Sequence, residues 1–208
     1  MPENSKLKTI KVFKYGLYGM SAFFLSGLIA VIIILFFDEY IVSALVAGWL
    51  GGFLTGTFLR MKDKRAKMAA SGAIGMPLGL FLSFGAAGLF ELMFPFASAS
   101  LAYTGIPDAI GISIMGLIFG SIMGIFILGS SALKIFAPVC TLASMPFGIL
   151  VSAMNEGYVL RDFNLMMNSI IKGKGIIDLN FLVITVSLGI GTGLSLAIHD
   201  IISRKKHS

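Results

Sequence analysis

The sequence predicts an all-α integral membrane protein, a six-transmembrane helix bundle. Three observations lead to this prediction: 57% of the 208 residues are hydrophobic, only 12% are charged, and the mean hydropathy is +0.94. A soluble domain is about 45–50% apolar and roughly a quarter charged. With so few charges the chain cannot cover a water-facing surface, so lipid must surround most of it. Residues 1–208 are expected to form a single polytopic membrane domain.

Each predicted span is an apolar run of about the twenty residues that a helix needs to cross the hydrocarbon core. The runs cover residues 15–37, 41–59, 68–90, 109–128, 135–154 and 179–198, and none contains Asp, Glu, Lys, Arg or His. Two connections are longer than the others, at residues 91–108 and 155–178. Within the second, apolar residues at helical spacing predict an interfacial helix at about 158–171.

The distribution of charge predicts the orientation of the spans. An even span number places both termini and the loops at 60–67 and 129–134 on one side. That side then holds all of the 16 Lys and Arg residues except Arg161, Lys172 and Lys174. Cytoplasmic loops are enriched in Lys and Arg, so both termini are predicted to be cytoplasmic and the protein to lie in the cell (inner) membrane. The net charge of +6 therefore indicates the orientation of the spans. The sequence has no basic face with interleaved aromatic residues, so it does not indicate nucleic acid binding.

Shared patterns predict an internal parallel repeat of a two-helix unit, formed by spans 2–3 and 4–5. The second and fourth spans match when Gly48 is aligned with Gly116, and the third and fifth share Met-Pro-x-Gly-x3-Ser, beginning at Met76 and Met145. Two-helix units that follow one another directly run in the same direction through the membrane, which implies a pseudo-twofold axis along the membrane normal. An alternative is three related hairpins, because weaker matches extend the pattern to the outer spans. Gly189 and Gly193 repeat the glycine spacing in the last span, and Met20 and Ser26 resemble the Met and Ser of the motif in the first.

The repeat contains two sets of candidate residues. Glycines four apart lie on one helix face and let two backbones approach closely. The predicted helix-packing residues are Gly48, Gly52, Gly56, Gly116, Gly120, Gly124, Gly189 and Gly193. A mid-span proline kinks its helix, and two kinks at equivalent places can line a pathway near the midplane. The pathway or kink candidates are Pro77, Gly79, Ser83, Pro146, Gly148 and Ser152. Inherited helix geometry is the plainer interpretation of the prolines.

Missing ionisable groups restrict the chemistry of the spans. Ion-coupled transporters commonly place such a group in the membrane, and metal-dependent enzymes need clusters of ligands. Cys140 is the only cysteine, so the sequence predicts no disulfide, no metal site and no cofactor. Glu91 and Asp108 cap the outer ends of the third and fourth spans. We expect both to be ordinary interfacial carboxylates. In the functional alternative, the two side chains would meet across the loop between them.

The sequence therefore favours a non-enzymatic protein. It predicts a small permease, or the membrane-embedded subunit of a transport complex, that handles a neutral or weakly polar solute. The alternative is a structural or assembly subunit of a larger membrane complex with no transport of its own. Predicted partners are membrane lipid and either another membrane protein or a second copy of the chain. A cytoplasmic partner or anionic headgroups would dock on the basic loop, Arg60, Lys62, Lys64, Arg65 and Lys67.

Two resemblances bear on these alternatives. Residues 70–75, Ala-Ser-Gly-Ala-Ile-Gly, resemble the Gly-x-Ser-Gly segment of rhomboid intramembrane proteases, which implies Ser71 as a nucleophile. Such a protease needs a histidine in a later span, whereas His199 and His207 lie at or beyond the predicted membrane edge, so an enzyme is disfavoured. In size, basic charge, glycine content and span number the chain is similar to the substrate-binding subunits of energy-coupling-factor vitamin transporters. That similarity implies transport and assigns no residue a role.

Overall fold

Six apolar helices form a bundle in the described part of the chain, residues 3–94, 105–155 and 175–205 of a computed structural model. They are α1 (Glu3–Phe37), α2 (Tyr40–Phe58), α3 (Arg65–Met93), α4 (Gly105–Leu128), α5 (Leu133–Asn155) and α6 (Gly175–Lys205). Each is long and apolar enough to cross a membrane, which confirms the prediction of six apolar helices. The predicted interfacial helix at 158–171 lies outside the described residues.

Several helices continue past the apolar runs that predicted them. α1 begins at Glu3, well before its apolar run, and α6 continues to Lys205. Lys, Arg and Glu are good helix formers, so the backbone stays helical where the hydropathy falls. Hydropathy therefore locates the apolar part of each helix, and helix propensity and turn residues determine its ends.

The turns at the two ends of α2 each contain a charged residue in the left-handed backbone conformation, Asp38 with φ 59° and Arg60 with φ 56°. At Arg60, the Met61 N–H donates to the Gly56 carbonyl at 2.8 Å and the Arg60 N–H donates to the Thr57 carbonyl at 3.0 Å. This pair of bonds closes many helix C-termini, usually with glycine at the left-handed position. A residue with a side chain costs roughly 1–2 kcal/mol there, so Arg60 is held in a strained conformation.

The helices are arranged as a closed ring. Each packs against its neighbours in chain order, and α1 also packs against α6. α6 makes further contacts with α2 and α4 across the ring. α2, α4 and α6 are more buried than α1, α3 and α5, so three inner helices alternate with three outer ones.

Glycines on the inner helices bring each of them against the backbone of one antiparallel outer helix. At six glycines an added Cβ would overlap a backbone carbonyl of the partner helix. The contacts are Gly48 with Gly72 and Gly52 with Met68 between α2 and α3, Gly116 with Cys140 and Gly120 with Phe136 between α4 and α5, and Gly189 with Gly19 and Gly193 with Tyr15 between α6 and α1. Gly56 and Gly124 face the side chains of Arg65 and Phe136. All eight predicted packing glycines therefore lie at contacts between helices of this chain.

The contacts within α2–α3 recur within α4–α5, and so do the turns that connect the helices. Gly116 takes the place of Gly48, and Gly120 takes the place of Gly52. The turns contain short 3₁₀ segments, at 62–64 and 130–132, and α3 and α5 start directly after them. The α6–α1 contacts have the same form, although these two helices come from opposite ends of the described chain. The ring thus contains three glycine-mediated antiparallel pairs.

Buried hydroxyl groups in the inner helices are satisfied within their own helix. Thr55 donates to the Gly51 carbonyl at 2.7 Å, Thr192 to the Leu188 carbonyl at 2.8 Å and Ser195 to the Gly191 carbonyl at 2.7 Å. A buried hydroxyl without a partner is costly, and bonding to the carbonyl one turn back removes that cost. These residues can therefore act as small side chains in a tightly packed interior.

Large apolar side chains occupy both the interior and the outer surface. The rings of Phe23 and Phe119 meet edge to face at the centre, with centroids 5.6 Å apart. On the outside, in the middle of the apolar parts of their helices, Leu25 is 44% exposed, Phe81 75% and Leu142 68%. Water would disfavour so much contiguous apolar surface, whereas lipid accommodates it.

The glycine contacts predict a specific loss of stability. In Gly52→Ala, the new methyl group would overlap the Met68 carbonyl, so α2 and α3 must move apart. Such overpacking typically costs about 1–3 kcal/mol. We expect thermal unfolding of the purified protein in mild detergent to show a lower melting temperature.

Gly85 on α3 provides the matched control, because an added Cβ there meets nothing within 4 Å in the described structure. Gly85→Ala should leave the melting temperature unchanged or raise it slightly, since alanine is the better helix former. Equal melting temperatures for Gly52→Ala and Gly85→Ala would contradict the close backbone contact.

Candidate functional site

Charged side chains of the described residues gather at the two ends of the bundle. At the end where α1, α3 and α5 begin, which we call the basic end, most of them are Lys and Arg. At the opposite end the described charged side chains are Asp38, Glu39 and Asp108. A layer of buried Phe, Met and Leu side chains lies between the two ends. The described charged groups are therefore confined to the two ends.

A cavity of about 180 Å³ opens at the opposite end, where α2 to α6 meet. We call it the end cavity. Four polar residues line it, each from a different helix: Tyr40 from α2, Ser83 from α3, Asp108 from α4 and Asn180 from α6. The other lining residues are small or apolar: Leu80, Phe84, Ala87, Gly111, Ile112, Val151, Phe181 and Ile184. Its volume is well above the ~15 Å³ that one water molecule needs.

Local structure positions each polar group of the end cavity. Asp108 lies in the first turn of α4, directly after Pro107, where a proline fits and a carboxylate is stabilised by the helix dipole. The Ser83 hydroxyl donates to the Leu80 carbonyl at 2.7 Å, which leaves its oxygen able to accept a hydrogen bond. The side-chain oxygen of Asn180 is buried. Donors and acceptors on separate helices thus face a largely apolar space.

This combination is typical of a site for a small molecule. Apolar walls provide affinity, and a few polar groups fix the orientation of the ligand. Asp108 contributes the one charged side chain among the lining residues, so a ligand with a hydrogen-bond donor is favoured. Among the described residues, no three His, Cys, Asp or Glu side chains come together in a way that could hold a metal ion.

The six pathway candidates are not gathered around this cavity; Ser83 is the one of them that lines it. An added Cβ at Gly79 would lie 3.0 Å from the Met115 side chain, and one at Gly148 would lie 2.5 Å from the Cα of Ala109. The remaining three lie inside continuous helices, Pro77 in α3 and Pro146 and Ser152 in α5. They differ in burial: Ser152 is buried, Pro77 is half-buried and Pro146 is exposed.

The shared Met-Pro-x-Gly motif does not mark equivalent places in the two hairpins. The helix contacts align Gly48 with Gly116, whereas the motif aligns Met76 with Met145, which is one position further along the chain. One residue is a rotation of about 100° around an α-helix. Met76 is consequently fully buried against Gly48, whereas Met145 is 50% exposed. The two motifs therefore face different directions in the structure.

Sequence reasoning missed two residues of the end cavity, Tyr40 and Asn180. Asn180 does carry a signal, because it is the one carboxamide within the six predicted apolar runs. Tyr40 stands just before the second run, and its sequence position does not distinguish it from an ordinary interfacial aromatic. Asp108, expected at the rim, lies in the cavity wall. Glu91, which would meet Asp108 across the loop in the functional alternative, has a side chain outside the described part of the structure.

At the basic end, an ion-pair network connects α1 to α6. Asp200 contacts Lys11, and the Arg204 Nε lies 3.2 Å from the other carboxylate oxygen of Asp200. A second cavity of about 370 Å³ lies beside this network and is also lined by His199. The His199 Nδ1 is 3.4 Å from the Ser203 hydroxyl. The network stabilises the closed ring on this side.

Ser71, the residue that resembles a protease nucleophile, is buried in α3. Its hydroxyl donates to the Met68 carbonyl at 3.1 Å and contacts the Met123 sulfur at 2.9 Å. Both partners are methionines, and neither is a base that could remove the proton of the hydroxyl. The environment of Ser71 is that of a packed helix contact.

Comparisons with protein-family profiles, with curated proteins and with solved structures find no match for this chain. The functional interpretation therefore depends on the chemistry of the end cavity and of the bundle surface.

Proposed function

We propose that this chain is a multi-pass membrane protein that binds a small neutral or weakly polar solute in the end cavity. It would act as a permease or as the membrane-embedded subunit of a transport complex, without catalysing a reaction. The observation that supports this most directly is the cavity wall, in which Tyr40, Ser83, Asp108 and Asn180 reach an apolar space from four helices.

Insertion in the membrane is supported by the apolar outer surface in the middle of the helices and by the position of the charges. The basic end would face the cytoplasm, because Lys and Arg are enriched in cytoplasmic loops. Both described termini lie at that end, and the end cavity then opens to the outside. We place the protein in the cell membrane, where its cavity can receive a solute from outside.

The recurrence of the α2–α3 contacts within α4–α5 supports a repeated hairpin as the building unit, with α6 and α1 as a third related pair. An arrangement of three such pairs places the three inner helices around one axis. The end cavity would lie near this axis, at the outer ends of the inner helices. Repeated units in transporters commonly enclose the substrate site where they meet.

Passage through the bundle would require movement. The Phe23–Phe119 contact fills the centre between the end cavity and the cavity at the basic end. The ion pairs of Asp200 with Lys11 and Arg204 also hold α1 against α6 at that end. In a permease, opening to the cytoplasm would separate these contacts. In a binding subunit, a partner protein would supply that movement.

The alternative is an assembly subunit that transports nothing, and one surface favours it. An exposed apolar groove of about 410 Å³ lies between α4 and α5, with Ile110, Met145 and Ile149 in its wall. A helix of another membrane protein, or a second copy of this chain, would fit there. The eight predicted packing glycines do not support this alternative, because they are used inside the bundle.

The solute proposal predicts that cavity variants lose a bound small molecule. Asp108→Asn removes the charge, and Asn180→Leu replaces the amide with an apolar group of the same branched shape. A hydrogen bond to a charged group contributes about 1.5–3 kcal/mol, so the solute should bind about tenfold more weakly or worse. The measurement is mass spectrometry of small molecules that co-purify with the protein in mild detergent.

Ser121→Ala is the control, because Ser121 lies outside the cavity and donates to its own helix at 2.6 Å. The control should retain the solute of the wild-type protein. The proposal is wrong if the wild type carries no solute, or if the cavity variants retain it undiminished. Co-purification of another membrane protein without any solute would favour the assembly subunit.

The proposed orientation predicts which positions a membrane-impermeant thiol reagent can reach. Glu39 and Asp63 are exposed acidic residues at opposite ends of the bundle. In a Cys140→Ala background, a cysteine at position 39 should react in intact cells. A cysteine at position 63 should react only after the membrane is opened. Labelling of position 63 in intact cells would reverse the orientation.

A further inference from the structure

A groove of about 480 Å³ lies at the basic end, between the N-terminal part of α1 and the end of α2. Lys11, Lys14 and Arg60 contribute positive charge to its wall, and Tyr15 and Tyr18 contribute phenol groups. We propose that this groove, which we call the α1–α2 groove, binds the phosphate headgroup of an anionic phospholipid. The proposal depends on membrane insertion and is independent of the solute in the end cavity.

The tyrosines hold the two lysines of α1 in place. The Lys11 Nζ lies 5.5 Å from the centre of the Tyr15 ring, and the Lys14 Nζ lies 5.6 Å from the centre of the Tyr18 ring. The Tyr18 ring in turn packs against Phe58 of α2, at 6.3 Å between centroids. Attraction between an ammonium group and an aromatic face restricts the lysine without neutralising its charge. The cations are therefore partly preorganised for an anion.

The charge of the α1–α2 groove is only partly compensated. Lys11 is paired with Asp200, which is shared with Arg204. Among the carboxylates whose side chains the structure describes, none lies within ion-pair distance of Lys14 or Arg60. Both are exposed at the groove. Two cations on adjacent helices thus remain available to a single anionic group.

Arg60 provides a second argument for a ligand. Its backbone has a φ of 56°, a conformation in which glycine is the usual residue. The chain nevertheless has a guanidinium at this turn, directed to the same groove as Lys14. A guanidinium can donate two parallel hydrogen bonds to a phosphate, which a lysine cannot do.

The apolar half of the groove indicates a lipid as the source of the phosphate. Ile10, Phe58 and Leu59 line it beside the cations, and Ile10 is 62% exposed. Farther along α1 the exposed apolar surface continues through Leu17, which is 43% exposed. A phospholipid matches both parts, because its phosphate would meet the two exposed cations while its acyl chains follow the apolar side of α1. A free phosphate ion would leave the apolar part exposed.

The test uses the purified full-length protein in a neutral detergent, titrated with dioleoylphosphatidylglycerol, dioleoylphosphatidylcholine or sodium phosphate. Native mass spectrometry counts bound lipid, and thermal unfolding measures the shift in melting temperature. We expect phosphatidylglycerol to bind at several-fold lower concentration than phosphatidylcholine and to raise the melting temperature. Sodium phosphate at the same concentration should do neither.

The diagnostic variant is Lys14→Gln with Arg60→Asn, since asparagine tolerates the left-handed conformation. It should raise the half-saturating concentration of phosphatidylglycerol at least fivefold. The matched control is Lys62→Gln with Lys67→Gln, which removes the same charge from the turn after α2 and from the first turn of α3. Both residues are exposed and belong to the basic loop that the sequence offers as a competing headgroup site, but neither lines the groove. This control should bind the lipid like the wild type. If the double variant has a lower melting temperature without lipid, Lys14→Gln alone serves as the variant.

Three outcomes would overturn the proposal. Unchanged lipid binding in the diagnostic variant would remove the groove as the site. Equal losses in both double variants would mean a diffuse attraction of the basic end for anionic lipid. Saturation by sodium phosphate with the same thermal shift would identify a site for a soluble phosphate.

Discussion

Backbone contact at glycine is the constraint on which the rest of this structure depends. In lipid there is little hydrophobic force to bring helices together, so they associate through close packing and weak contacts between backbones. Three pairs of helices achieve this with the same device, a glycine on an inner helix against a carbonyl of an outer one. A side chain at one of these positions would push its pair of helices apart, and at Gly189 or Gly193 it would act on the contact that closes the ring between α1 and α6.

The location of polar chemistry follows from this tight interior. The glycine pairs and the Phe23–Phe119 contact fill the middle of the bundle, and the two cavities described above lie toward its opposite ends. Four polar side chains line the end cavity because the ends of five helices meet there. The α1–α2 groove at the other end contains cations because Lys11 and Lys14 of α1 and Arg60 of the turn after α2 lie side by side there. The proposed solute site and the proposed lipid site are thus consequences of one packing arrangement.

The sequence predicted the number of helices because a membrane-spanning helix leaves a long apolar run. Glycine spacing pointed to contact faces, since four residues are close to one helical turn. It did not identify the partners: Gly189 in the last helix meets Gly19 in the first, and no local pattern encodes a contact between such distant parts of the chain. The two copies of the Met-Pro motif are one position out of step with the helix contacts, so Met76 lies in the interior and Met145 at the surface. The shared letters alone do not predict which way each copy faces. Tyr40 and Asn180 came together only through tertiary packing.

The central claim, that α1 and α6 close the ring in backbone contact, can be tested with one disulfide. A Cβ added at Gly27 would lie 3.2 Å from the Cβ of Thr185, close to the roughly 3.5–4.5 Å of a disulfide. In a Cys140→Ala background, Gly27→Cys with Thr185→Cys should form an intramolecular bond on oxidation, seen as the loss of two free thiols. Gly27→Cys with Ser187→Cys, on another face of α6, should stay reduced. Free thiols in the first pair after oxidation, or equal cross-linking of both pairs, would contradict the closed ring.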